Sequence, residues 1–217
     1  MAGVNAADEL VGNIIKEIFK KAEEIAELHA YLTSPRGDNF RLRLLHALEV
    51  PLGETAVEGL RADAGIKEYH RHLNKLLRFE LIQVQEIDDK KQYYIRTALG
   101  EQAVNALREF ERRVGKEAAE ALYSAWLGPN SIRFFLRVYG DKKEVNWEHL
   151  QVRYTPAEIG KLSLFLPRTI EGLSAIDKLN EADLLVYQDD NHIYMHPIKA
   201  RSFYQYLQQL YRIVEEA

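Results

Sequence analysis

Six basic or polar side chains between Gly65 and Ile82 share one face of a predicted helix, and their types are those that contact nucleic acid. These side chains are Lys67, His70, Arg71, Asn74, Lys75 and Arg78. The opposite face is apolar, with Tyr69, Leu73, Leu76 and Leu77 at helical spacing. Arginine can bind guanine and asparagine can bind adenine through paired hydrogen bonds, whereas lysine favours phosphate. A plain solvated surface has a similar composition, so the neighbouring elements must decide between the two interpretations.

The elements predicted around this helix have the order of a winged helix-turn-helix. Two helices precede it, and a hairpin and a closing helix follow, at Phe40–Val50, Glu54–Ala64, Leu81–Val84, Gln92–Arg96 and from about Ala98. Gly65 lies at the turn into the polar helix, where a positive φ is easily adopted. In this fold the polar helix enters the major groove and the hairpin flanks the phosphates. We therefore expect the polar face to contact double-stranded DNA.

Further candidate phosphate contacts lie in the hairpin and in the first helix of this unit. Lys90 and Lys91 occupy the predicted hairpin tip, next to two aspartates that weaken the local positive field. Arg41 and Arg43 belong to the first helix and are weaker candidates.

Residues from about 39 to 114 resemble the winged-helix domain of bacterial and archaeal regulators of the ArsR and MarR type. The matching runs are Arg71–Leu76, Glu80–Ile82 and Tyr94–Gly100. The last run resembles the Y-x-L-T-x-x-G sequence with which such hairpins pass into their closing helix. This resemblance covers about a third of the chain. It implies a winged-helix fold, binding to DNA and a role in transcription regulation.

Residues 1–34 are predicted to form one long amphipathic helix, from about Ala7 to Leu32. Its apolar stripe includes Val11, Ile15, Ile18, Ile25 and Leu32, four of which recur every seven residues. An amphipathic helix needs an apolar surface to pack on, and apolar heptads pair readily with one another. We expect this helix to pair with a second subunit in a homodimer. The alternative is packing on the winged-helix domain of its own chain.

The second part of the chain repeats the plan of the first. The predicted elements are Ser131–Tyr139, Pro156–Phe165, Arg168–Asn180, a hairpin at Leu184–His196, and Lys199–Glu216. Lys75-Leu76 and Glu80-Leu81-Ile82 also match Lys178-Leu179 and Asp183-Leu184-Leu185 at a constant offset. The helix in the recognition position carries two acids and a glycine, so we expect this copy to pack or to bind protein rather than to read DNA.

The predicted fold is mainly α with small β wings, in tandem winged helix-turn-helix domains preceded by a long N-terminal helix. The domains are an N-terminal helix at 1–34, a winged-helix domain with an extended closing helix at 39–126, and a second winged-helix-like domain at 131–217. The glycine and proline between 127 and 130 give the boundary.

Composition limits the classes of protein to consider. The net charge is −4, but residues 36–96 carry 11 basic and 10 acidic groups, so the proposed DNA-reading region is not negative. The absence of cysteine excludes disulfides and thiolate sites. No apolar run approaches the roughly 20 residues of a membrane helix, and no secretory signal begins the chain. We expect a cytoplasmic protein without a membrane partner.

Neither a metal site nor an enzyme active site is expected. His192 and His196 alternate along a predicted strand near Asp190, which is too small a ligand set for metal. Glycine-rich phosphate loops and hydrolase motifs are missing from the sequence. No cofactor is expected.

The expected function is that of a dimeric DNA-binding transcription regulator. Two recognition helices about one duplex turn apart would read a near-palindromic site. One alternative is a tandem winged-helix subunit that binds protein in a chromosome-organising or other complex. Another is a DNA-binding protein similar to replication initiators.

Overall fold

The computed structural model describes residues 6–33, 40–63, 65, 69–87, 91–125, 127–140, 152–154, 177–189 and 192–217. The chain begins with two helices, α1 (Ala6–Lys20) and α2 (Ala22–Thr33). They are separated only at Lys21, whose amide donates to the Glu17 carbonyl at 3.1 Å and whose carbonyl accepts from Ile25 at 3.0 Å. The predicted single helix is therefore nearly continuous.

The first half of the chain, residues 40–125, alternates helices with short strands. Its elements are α3 (Phe40–Ala47), β1 (Leu52–Gly53), α4 (Glu54–Asp63), α5 (Tyr69–Arg78), β2 (Ile82–Ile87), β3 (Lys91–Arg96), α6 (Ala98–Val114) and α7 (Lys116–Ser124). The strands form an antiparallel sheet in the order β1–β3–β2. Sequence analysis predicted the hairpin but not β1, in which Leu52 pairs with Tyr94.

The second half, residues 127–217, has the same order of elements where the structure describes it. It contains α8 (Pro129–Gly140), β4 (Val152–Tyr154), a helical segment at 177–181, β5 (Leu185–Asp189), β6 (His192–Met195) and α9 (Pro197–Glu216). These strands form an antiparallel sheet in the order β4–β6–β5. The predicted helix at Pro156–Phe165 lies outside the described residues. Mainly helical structure with small antiparallel sheets is confirmed.

The two halves share a helix ending at positions 103 residues apart. The Leu81 amide donates to the Leu76 carbonyl at 2.9 Å, and the Leu184 amide donates to the Leu179 carbonyl at the same distance. The residue before each of these amides has a positive φ, 50° at Glu80 and 54° at Asp183. Both ends are therefore Schellman motifs, which turn the chain from the helix into the following strand.

Each hairpin is closed by an equivalent backbone bond. In the first half the Thr97 amide donates to the Leu81 carbonyl at 3.1 Å, and in the second half the His196 amide donates to the Leu184 carbonyl at 3.0 Å. Thr97 then caps α6 by accepting from the Gly100 amide, and His196 caps α9 by accepting from the Lys199 amide. The closing helices therefore start from the same local structure, which satisfies amides that a helix start leaves unpaired.

Helix α2 lies in the core between the two halves. It contacts α3 and α7 of the first half and α8 and α9 of the second. The closing helices α6 and α9 also pack together, with the Phe110 ring 5.5 Å from Tyr206 and 6.4 Å from Phe203. The two halves consequently share one apolar core. Among the described residues, no helix has the length and apolar character needed to span a bilayer.

The apolar stripe of the N-terminal helices packs against other helices of the same chain. Ile18, Ile25 and Leu32 are fully buried, and Ile15 packs on the same core. The prediction that this stripe pairs with a second subunit is wrong for this fold, because its surface already covers α8 and α9. The alternative, packing on the winged-helix domain of the same chain, describes only part of these contacts, because α1 and α2 also pack on α8 and α9 of the second half. The Val11 side chain lies outside the description.

A buried histidine joins α2 to α9. His29 is 1% exposed, and its Nδ1 lies 3.1 Å from the hydroxyl oxygen of the buried Tyr206. Its Nε2 has no hydrogen-bond partner among the described residues. Burial lowers the pKa of His29 from 6.5 to about 4. The imidazole is therefore neutral in the folded protein at neutral pH.

The protein should lose stability on mild acidification because of His29. With a folded pKa of about 4 and an unfolded pKa of 6.5, the unfolded chain binds the extra proton first. The stability contribution is complete above pH 6.5 and decreases as pH falls towards 4, by about 2 kcal/mol at pH 5. Urea unfolding of wild type and His29→Leu at pH 7 and pH 5 measures the difference. Equal losses in both proteins would show that His29 is not the group responsible.

Gly100 is required by the close approach of α6 to the first hairpin. A Cβ at this position would clash with the Leu81 carbonyl oxygen and lie 2.8 Å from Cγ of Arg96. Gly100→Ala should therefore destabilise the fold by about 1–3 kcal/mol. Gly59 in α4 has nothing within 4 Å of such a Cβ, so Gly59→Ala should stabilise by about 0.5–1 kcal/mol. Thermal melts of both variants test this; similar effects at the two positions would contradict it.

Candidate nucleic-acid interface

Helix α5 is held by its apolar face, and its polar face points outward. Tyr69, Leu73 and Leu76 are buried. Before the helix, Gly65 has the expected positive φ, 64°. After it, the Schellman motif leads into β2. These contacts fix which side chains of α5 face solvent.

The exposed face of α5 contains four of the six contact residues that were predicted for the polar helix. The exposed side chains are His70, Arg71, Asn74 and Arg78. Arg71, Asn74 and Arg78 follow one another at spacings of three and four, so they form a row along the helix. The structure thus brings together a guanidinium and an amide that can bind base edges, as the sequence predicted.

Lys75 leaves this row and packs against α2. Its Nζ lies 3.9 Å from the ring centroid of Tyr31 and donates a hydrogen bond to the Tyr31 hydroxyl. The Arg41 guanidinium also lies over the Tyr31 ring, 4.8 Å from its centroid. Tyr31 is 7% exposed. Two cations from α5 and α3 are therefore held against one aromatic ring of α2.

Glu27 lies one helical turn before Tyr31 and connects the same group of residues. Its Oε1 accepts a hydrogen bond from the Tyr31 hydroxyl and another, of 3.0 Å, from Nη1 of Arg78. The side chains of Arg78 and Glu27 are 61% and 31% exposed. The carboxylate is therefore accessible to solvent while it is bound.

We call Arg41, Arg71, Lys75 and Arg78 the cationic cluster. Its members influence one another electrostatically. Burial lowers the pKa of Lys75, and the positive charges of Arg41 and Arg71 lower it further, whereas Glu27 acts in the opposite direction. The pKa of His72 is lowered first by burial and then by the same charges. Four cations against the carboxylate of Glu27 leave a positive field at this end of α5.

The remaining predicted contact residues lie apart from the cluster or outside the description. Lys91 is exposed at the start of β3, and Arg43 is exposed on α3. Lys67 and Lys90 fall outside the described residues. The hairpin therefore contributes Lys91 to the part of the interface that the structure describes.

Tyr31 and Glu27 are not among the residues that the sequence pattern predicts for this site. Both belong to a helix that was assigned to dimerisation, and Tyr31 is 44 residues from Lys75 in the chain. Their only local signal is the four-residue spacing, which places the carboxylate and the hydroxyl on one side of α2. Nothing in that spacing indicates that α5 packs beside them.

The corresponding part of the second half has a different charge distribution. Lys178 occupies the position equivalent to Lys75, and Glu181 the position equivalent to Arg78. Lys178 and Glu181 form an ion pair of 2.7 Å, and Asp183 pairs with Lys199. Lys178 and Lys199 are thus each paired with a carboxylate of this half. The earlier part of the predicted helix, up to residue 176, lies outside the description.

His196 is one of the two histidines that the sequence places on a strand near Asp190, where a metal site was considered. Its side chain accepts a hydrogen bond from the Lys199 amide at the start of α9, so it has a structural role as a cap. Asp190 lies outside the described residues. In the part of the chain that the structure describes, no group of three or more His, Asp and Glu side chains could hold a metal ion.

A groove of about 670 Å³ between α6 and α9 is a weaker candidate for anion binding. It contains Arg108, Arg112 and Arg212. Arg112 is paired with Glu109 at 2.8 Å, and its hydrogen bonds lower the pKa of Glu109 to about 2. Arg108 lies 3.5 Å from Glu49. Because most of this positive charge is already paired, the cationic cluster is the stronger candidate.

Comparisons with protein-family models, with curated proteins and with solved structures found no match to this chain.

Proposed function

We propose that this protein is a DNA-binding transcription regulator built from tandem winged helices, with α5 as its recognition helix. The order α3, β1, α4, α5, β2, β3, α6 is that of a winged helix, and the antiparallel sheet joins its strands as β1–β3–β2. The second half supports a tandem arrangement through the equivalent helix ending, hairpin closure and sheet order.

The observation that carries the proposal is the cationic cluster on and beside the exposed face of α5. Phosphate neutralisation by lysine and arginine supplies most of the affinity of proteins for DNA. With such a cluster on a recognition helix, the major groove of a duplex would lie over the row of Arg71, Asn74 and Arg78. The phosphates of the duplex would lie beside this row. The overall net charge of −4 makes this local placement decisive.

Different members of the interface would have different roles. Arg71 and Asn74 point outward from the middle of α5, so they contact base edges in the major groove. Lys75, Arg78 and Arg41 lie at its flank and contact phosphates. Lys91 would contact a phosphate from the hairpin, as wings do.

We propose that each chain has one recognition helix that contacts DNA. The stripe predicted for dimerisation is buried, so it does not set two recognition helices at a fixed spacing. The second half has an ion pair between Lys178 and Glu181 where the first has its cluster. We propose that this half supports the first by packing on α2 and α6, and that its own surface is free for a protein partner.

Arg71→Ala should weaken binding to a selected duplex by about 1–3 kcal/mol and relax the base preference, because the paired hydrogen bonds to guanine are lost. Arg71→Lys keeps the charge but not the planar fork, so it should restore affinity without restoring the preference. The control is Lys178→Ala, which removes one positive charge from the second half, at the position equivalent to Lys75, and should leave binding unchanged. Fluorescence anisotropy on duplexes from a random-library selection gives these values. If Lys178→Ala abolishes binding and Arg71→Ala is silent, the wrong half has been assigned.

The salt dependence of DNA binding should correspond to one recognition helix. If Arg41 and Lys91 each neutralise one phosphate and Lys75 and Arg78 together neutralise a third, the slope of log K against log salt should be about −3. Two recognition helices in a dimer would give roughly twice that slope. Anisotropy titrations between about 50 and 200 mM salt measure the slope. A flat response, or no binding to any duplex, would favour the protein-binding alternative instead.

A further inference from the structure

The Glu27 carboxylate is bound within the cationic cluster as a phosphate would be. Its Oε1 accepts from the Tyr31 hydroxyl and from the Arg78 guanidinium. Lys75 donates to that same hydroxyl, so a third donor is linked to the carboxylate through Tyr31. A backbone phosphodiester resembles a carboxylate in carrying one negative charge and two free oxygens. The three donors are therefore arranged for an anion of this type.

The cluster also retains uncompensated positive charge when Glu27 is in place. Arg41 and Lys75 are held against one ring. Burial lowers the pKa of both groups, and the positive charge of Arg41 lowers the pKa of Lys75 further. Nη1 of Arg41 is buried without a hydrogen-bond partner among the described residues. Glu27 provides a single carboxylate in return. An incoming oxyanion would consequently be stabilised here even without a change in the fold.

We propose that Tyr31, Lys75 and Arg78 form a binding site for a phosphate group, and that Glu27 occupies this site in the free chain. The inference rests on the proposed function. It assigns the phosphate to the DNA backbone, because Lys75 and Arg78 each lie four residues after a side chain that would contact bases, Arg71 and Asn74 respectively. A phosphate here would therefore adjoin the base pairs that α5 reads. Inorganic phosphate presents similar chemistry and is the other source to test.

Glu27 would then act as an internal competitor for the duplex. Binding requires its side chain to rotate away, which its partial exposure allows. The exchange lowers affinity for every sequence equally, since the phosphate carries no base information. Sites with and without base contacts would be weakened by the same factor, so the exchange changes affinity and not base preference.

The first test is Glu27→Gln, which removes the charge and keeps the shape. We expect duplex affinity to rise about two- to fivefold, as an ion pair exposed to this degree is weak, and the salt slope to steepen by about one. Glu23→Gln is the matched control, because Glu23 is on the same helix but pairs with Arg133 of the second half at 3.2 Å. It should change affinity far less. Equal gains for both variants would overturn the assignment, and thermal melts confirm that both fold.

A double variant distinguishes a phosphate-binding site from a general change in the electrostatic field. In an Arg78→Met background, one of the phosphate donors is missing, so Glu27→Gln should give little further gain. If the full gain persists there, Glu27 acts only through its long-range charge and the inference is wrong.

A final comparison distinguishes the two sources of phosphate and the two proposals. Inorganic phosphate alone is titrated into the Glu27→Gln variant, and the NMR chemical shifts of the Tyr31 ring are recorded. We expect no saturable change in these shifts. Saturable binding with unchanged duplex affinity would overturn the assignment to DNA. If Arg71→Ala weakens duplex binding while Glu27→Gln has no effect, only this inference fails. If neither variant has an effect, or no duplex is bound, the proposed function fails with it.

Discussion

The burial of α2 is the constraint on which the rest of the structure depends. This helix contacts α3 and α7 on one side and α8 and α9 on the other, and Ile25, Leu28 and Leu32 on it are fully buried. Without it each half would expose an apolar surface, since neither half is large. Its position also brings Glu27 and Tyr31 beside α5. The same packing that holds the halves together thus determines the electrostatics of the candidate interface.

The sequence predicted the local structure better than the packing. The amphipathic pattern of α5, the positive φ of Gly65 and the repeated run around Glu80 and Asp183 all depend on neighbouring residues, so they could be recognised in one sequence. The stripe of α2 could not be assigned in the same way. A heptad pattern shows that a helix is buried on one face but not which surface covers it. Its long-range partners, such as Tyr206 for His29, are determined by the tertiary fold.

The candidate site was predicted in part for the same reason. Arg71, Asn74 and Arg78 follow from helical spacing and were placed correctly on one exposed face. Lys75 was assigned to that face as well, but it is held by Tyr31. A strand as short as β1 has no periodicity to detect, and it became visible only through its pairing with β3. Charge patterns therefore identified the helix, whereas only the fold could identify what lies beside it.

The hairpin closures described above also define how far each wing extends. Fifteen residues separate Leu81 from Thr97, whereas eleven separate Leu184 from His196. Strand β6 has four residues where β3 has six, so at about 3.4 Å per residue this side of the second hairpin is shorter by about 7 Å. The second wing therefore extends less far beyond the start of its closing helix than the first wing does.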